Sequence, residues 1–174
     1  MAKHVININD VELIHCSVAF PLTAADGKPE QYDANIGRVS PKIGAQQLGY
    51  NITSVPPGKC ALPAHSHAVN EEMFFVLQGT GEARIGSEVY PLKAGDFIAC
   101  PAGGPELAHQ IANTGSDDLK YLAVSTMRSP EVWQYPNSGK FGVSAALPSA
   151  EGGLPRSVTF FGRESQRVGY WDGE

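Results

Sequence analysis

Apolar positions along the chain come in short runs of four to ten residues, broken by turn residues, with no sustained helical period. Val11 to Phe20 reads as a first strand, followed by a polar loop containing Asp26-Gly27-Lys28-Pro29. Gln46 to Val55 alternates, with Leu48, Tyr50 and Ile52 on one face, Gln47, Asn51 and Thr53 on the other, and Pro56-Pro57-Gly58 as its stop. Met73 to Leu77 is continuously apolar and reads as a strand buried on both faces. Glu82 to Ile85 and Glu88 to Leu92 flank Gly86-Ser87 as a hairpin. Phe97 to Cys100 ends at Pro101, and His109 to Ala112 and Lys120 to Thr126 flank a turn at Asn113 to Asp117. A late strand is expected at Ser157 to Phe161. Residues Gly139 to Leu154 are too rich in Gly, Ser and Pro for a helix.

Many short strands at close, even spacing predict an all-β chain folded as a sandwich or barrel. Three parts are expected: an N-terminal arm at residues 1–40, a barrel at 41–128, and a C-terminal extension at 129–174. The aromatics Trp133, Tyr135, Phe141, Phe160 and Phe161 imply that the extension packs on the barrel. Tyr135 to Lys140 reads as a shaped loop that covers the barrel mouth.

Composition narrows the function. With 42% hydrophobic and 18% charged residues the chain is globular. A net charge of −5 argues against non-specific nucleic-acid binding, while leaving room for a basic pocket that takes an anion. No run approaches the roughly 18 apolar residues of a membrane span, and no signal peptide is evident. Cys16, Cys60 and Cys100 are odd in number and widely spaced, which suits reduced thiols and a cytoplasmic location.

The candidate chemistry lies in His65-Ser66-His67. On a strand both imidazoles project to one face. Glu72 shares the parity of Phe74 and Val76, so it can face the same interior, and His109 opens a later strand. Four such groups buried without a partner would be costly, and one divalent cation satisfies them together. Glu71 is the rival carboxylate ligand. His4 and His15 read as solvated.

These residues resemble the two motifs of the cupin superfamily. The first is matched by Gly58, His65, His67, Glu72 and Gly79, with the Gly58–His65 gap one residue longer than the pattern. The second is matched by Gly95, Pro101, Gly103, His109 and Asn113, with a longer loop at Gly104 to Ala108. The resemblance spans roughly residues 46–126. It implies a jelly-roll β-barrel of roughly six to eight strands with the metal inside, plus an N-terminal strand and a packed C-terminal extension.

His65, His67, Glu72 and His109 are then the expected ligands of one divalent metal: zinc, manganese, iron, nickel or cobalt. Four protein ligands in an octahedral site leave two positions for a small-molecule substrate. The chain resembles small single-barrel cupins of the sugar-phosphate isomerase type. A cupin dioxygenase and a non-catalytic small-ligand binder are the alternatives. Glu71 and Tyr121 are the candidates for proton transfer, and Arg84, Lys93, Arg128 and Lys140 for phosphate binding. A homodimer is expected, with no nucleic-acid or membrane partner.

Overall fold

The computed structural model describes residues 4–21, 27–147 and 156–174. Among these residues thirteen strands and one α-helical turn, besides short 3-10 turns, follow in chain order: β1 (Ile14–His15), α1 (Cys16–Ala19), β2 (Asn35–Arg38), β3 (Leu48–Val55), β4 (Ser66–His67), β5 (Glu72–Gln78), β6 (Thr80–Ile85), β7 (Glu88–Lys93), β8 (Phe97–Cys100), β9 (His109–Ala112), β10 (Leu119–Thr126), β11 (Glu131–Tyr135), β12 (Lys140–Leu147) and β13 (Arg156–Arg163). They form antiparallel sheets ordered β1-β2-β3-β10-β5-β8, β13-β12-β11-β4 and β7-β6-β9. Isolated bridges join them: Cys60 to Ala112, and His65 to His109. The result is an all-β barrel with the C-terminal strands packed onto it. No helix among the described residues is long and apolar enough to cross a membrane.

Strand parity sorts the core into two layers. The barrel interior holds Ile36, Val55, Phe74, Val76, Ala83, Leu92, Ile98, Ile111, Leu119 and Tyr121. A smaller cluster on the outer face of the large sheet gathers Val11, Val39 and Ile52, with Leu13, Tyr50, Leu77 and Leu122 against it. The N-terminal residues therefore cover the outside of β3, β10 and β5. That second layer is why Met73 to Leu77 is apolar without alternation.

Several expectations need correction. Of Val11 to Phe20 only Ile14–His15 is strand. His15 Nδ1 accepts from the Ser17 amide, Phe20 N donates to Cys16 O, and the chain closes one helical turn instead. The stretch Tyr135 to Lys140 is the hairpin turn between β11 and β12, with Gly139 at φ 63° and the amides of Ser138 and Gly139 both donating to Tyr135 O. Between residues 139 and 154, Lys140–Leu147 is strand, and residues 148–154 lie outside the described residues. Asp26 of the polar loop does too.

The late strand is longer than expected, running over Arg156–Arg163. Gly142 lies within β12. Here its missing Cβ makes room for the rings of Trp133 and Phe161, which a Cβ would approach to 2.8 and 2.7 Å.

The turns carry the motif glycines. Gly79 sits at φ 83° between β5 and β6, and a Cβ there would meet Asp118 O at 2.5 Å. Gly79→Ala is therefore expected to lose about 2 kcal/mol or more of stability in urea unfolding. A loss under about 0.5 kcal/mol would show that the turn relaxes freely. Asn113, 1% exposed, organises the β9–β10 turn: its Nδ2 donates to Val55 O and Asp117 O, and its Oδ1 accepts from Gly115 N.

Candidate metal centre

β4 enters from the C-terminal sheet and β9 from the small sheet, and they meet at one antiparallel bridge. His65 N donates to His109 O at 3.2 Å and His109 N to His65 O at 2.8 Å. Cross-strand neighbours present their side chains side by side, and the His65 and His109 ring centroids lie 4.9 Å apart. His67, two residues on, brings its ring to 5.1 Å from His65. The longer loop before His109 folds as a short 3-10 turn over Pro105–Leu107, and Gly103 N donates to His67 O. The extra residues are thus taken up without moving His109 from its bridge. Glu72 opens β5 on the inward face with Phe74 and Val76.

The four residues His65, His67, Glu72 and His109 place one ligand atom each within 4.8 Å of all the others. Glu72 Oε2 is 3.0 Å from His109 Nε2 and 3.4 Å from His67 Nε2. Donors around a single ion with bonds of about 2.1 Å stand roughly 3.0–4.2 Å apart, and the two Glu72 contacts already have that spacing.

The outer nitrogens give a second test of fit. His65 Nδ1 lies 2.9 Å from Pro63 O, and His67 Nδ1 lies 3.2 Å from Glu131 Oε2. A carbonyl and a carboxylate only accept, so both imidazoles donate from Nδ1 and turn bare Nε2 lone pairs toward Glu72 and His109. His67 Nε2 is buried and makes no hydrogen bond, which is the orphan a cation would satisfy. A carboxylate behind a metal-binding imidazole is a recurring arrangement.

Electrostatics follow from burial and these contacts. Burial pushes His65 down to about 4, against the pull of Glu72, so its ring is neutral at neutral pH. Burial also disfavours charge on His67, but the adjacent carboxylates of Glu72 and Glu131 outweigh it and raise its pKa. A metal at Nε2 must displace that proton, so acid competes with the ion. Glu72 is buried, which alone would raise it, yet the hydrogen bond to His109 and the adjacent imidazole of His67 hold it well below the usual carboxylate range.

Two cavities meet at this group, sharing Phe20, Asn51, Glu72 and Ala123. The inner one, about 120 Å³, is lined by His65, His109, Thr53, Gln110 and Tyr121 among apolar side chains. The outer one, about 470 Å³, is lined by His67, Asn70, Arg38, Arg128 and Glu131.

Of the proton-transfer candidates, Tyr121 lies in the inner cavity, 4% exposed, its ring edge-on to Phe74. Burial, then the charge of Glu72, raises its pKa far above the ordinary value, so the phenol stays protonated and serves as a donor rather than a base. Glu71 is exposed, on the opposite parity, and lines neither cavity.

Among the phosphate candidates only Arg128 reaches the outer cavity. Arg84 lines a separate surface pocket with Glu106 and Asn137. Lys93 is exposed, and Lys140 lies 4.4 Å over the Tyr135 ring. All three cysteines are free thiols. Burial, reinforced by Glu72, pushes Cys100 up to about 12, which leaves it unreactive.

Two residues that sequence reasoning passed over matter here. Glu131 accepts from His67 Nδ1, from the amides of Val69, Asn70 and Val132, and from Asn70 Nδ2. It sits 64 residues from His67 in a stretch without a motif, so no local signal marks it. Arg38 lines the outer cavity from the end of β2.

Residues 51–125 match the cupin domain family. Over those residues the chain is similar to a cupin domain, and its all-β fold is similar to that of a solved structure from the cupin superfamily. An oxalate-binding protein of Thermotoga maritima is 36% identical over 70 residues, which cover 40% of this chain and 54% of that protein. An uncharacterized protein of Methanocaldococcus jannaschii is 37% identical over 71 residues, covering 41% of this chain and 54% of its own. The chain thus spans about half the length of the curated relatives it matches. In fold it is similar to a sugar phosphate isomerase of the cupin superfamily from Silicibacter pomeroyi, with a TM-score of 0.71 and 20% identity over 93% of this chain and 94% of that one.

Proposed function

We propose that this protein is a metal-dependent cupin that binds a small polar molecule at His65, His67, Glu72 and His109 and isomerises a sugar-phosphate-type substrate there. The observation that carries this reading is the convergence of three imidazoles and one carboxylate where the two cavities meet. A bound divalent ion supplies Lewis acidity toward a carbonyl and its neighbouring hydroxyl. His65 and His67 are held by Pro63 O and Glu131 so that their bare nitrogens point inward. Tyr121, kept protonated by burial, offers a hydrogen-bond donor in the inner cavity. The apolar walls around Phe74 and Ile111 limit water there. The likeness in fold to a sugar phosphate isomerase supports the choice of substrate.

A second reading, a binder without catalysis, has its own observation. Both carboxylates lining the cavities are committed: Glu72 lies against His109 and His67, and Glu131 against His67 and backbone amides. Neither is free to act as a base. The match to an oxalate-binding protein favours the same reading. Incubation of the metal-loaded protein with aldose and ketose phosphates in deuterated water separates the two. Isomerisation removes a proton beside the carbonyl and returns one to the adjacent carbon, so deuterium is expected in the product. Tight binding of a sugar phosphate without interconversion or deuterium exchange would leave the binder.

A further inference from the structure

Arg38 is inward-facing by strand parity. It ends β2 two residues after Ile36, whose side chain is in the barrel core, so both project to the interior face. Its guanidinium carbon lies 5.8 Å from the Phe20 ring centroid, and its register partner on β3 is Asn51. Phe20 and Asn51 line both cavities. Arg128 approaches the same space from the end of β10. Its backbone is clamped to Asn70, whose Oδ1 accepts from Arg128 N at 2.7 Å and whose Nδ2 donates to Arg128 O at 3.0 Å. The same Asn70 side chain donates to Glu131, so Arg128 emerges beside the support of His67.

Neither guanidinium has a carboxylate within ion-pair reach among the described residues; the ion pairs there engage His15, Lys59, His67 and His109. The cavity's own carboxylates are already taken up by histidines and amides. Two arginines without an ion-pair partner among the described residues thus line a cavity of about 470 Å³ in a chain of net charge −5. A guanidinium presents a planar fork of donors that matches phosphate and carboxylate oxygens, and the volume lies within the usual range for metabolite sites.

We propose that Arg38 and Arg128 form an oxyanion subsite at the barrel mouth, holding the phosphate or carboxylate end of a ligand whose other end reaches the metal centre. Only the placement of that other end rests on the metal reading above. The ligand is then elongated and anionic at its outer end, and the metal and the arginines bind different parts of it.

The test is calorimetric titration with inorganic phosphate and, separately, malonate, on the wild-type protein, on R38Q/R128Q, and on His109→Ala, with metal content measured on each. At least one anion is expected to bind the wild type and His109→Ala, and to lose roughly ten-fold or more in affinity in R38Q/R128Q at unchanged metal content. Preference for phosphate or for malonate identifies the outer group. Unchanged affinity in R38Q/R128Q overturns the subsite. So does loss of binding with His109→Ala alone, which would seat the anion on the metal, or absence of binding to the wild type. Anion binding without metal in the wild type would instead sink the metal reading and leave the subsite standing.

Discussion

His109→Ala is expected to bring metal content from one equivalent per chain to near zero in protein purified without chelators. His109 Nε2 lies 3.0 Å from Glu72 Oε2, so the substitution removes one of the four proposed ligands and strips the carboxylate of its hydrogen-bond partner. The barrel should survive. The bonds that tie β9 to His65 run through the backbone and do not need the imidazole. Folding and metal binding are therefore separable in this variant.

A cation that binds only the folded state stabilises it by about 2.7 kcal/mol at a free concentration 100 times its Kd. Adding the metal should raise the melting temperature of the wild type and leave that of His109→Ala unmoved. His67→Ala should behave alike. One equivalent of metal retained in His109→Ala, with the protein folded, would mean that the ligand assignment is wrong.

The constellation was readable in the sequence because strands have a period of two. His65 and His67 must share a face, and Glu72 must join Phe74 and Val76 on theirs; the rings and carboxylate meet accordingly. The hairpin at Gly86-Ser87 and the strands Phe97 to Cys100 and His109 to Ala112 were legible for the same reason, bounded by residues that punctuate a chain locally. What depended on distant partners was not. β11 and β12 are strands because they pair with each other and with β4 and β13, and Gly142 hides that by vacating space for two rings. Val11 to Phe20 looks like a strand because it is rich in apolar residues, but those that pack divide between two clusters around a helical turn, and Val18 is exposed. Arg38 belongs to a segment that reads as a polar arm until β2 is seen to run into the barrel.

Glu131→Gln should weaken both the fold and the metal site, and the geometry separates the two effects. One carboxylate oxygen accepts from the amides of Val69 and Val132, at 3.1 and 2.8 Å; the other accepts from Asn70 N, Asn70 Nδ2 and His67 Nδ1. An amide has one oxygen, so either orientation turns an NH2 toward backbone or side-chain donors. Each buried donor left unpaired costs about 1–3 kcal/mol, and a loss of that order is expected in urea unfolding of the metal-free protein. The larger consequence lies at the centre. If the amide oxygen keeps its place opposite His67, the imidazole retains its tautomer but loses the negative charge behind it; if the NH2 takes that place, it opposes Nδ1–H and the ring must turn. In both cases metal affinity, measured by competition with a chelator at temperatures where the variant is fully folded, should fall by roughly 10–100-fold. A destabilised variant that still binds metal as tightly as the wild type would confine Glu131 to holding the β4–β11 corner together, with no part in presenting His67 to the ion.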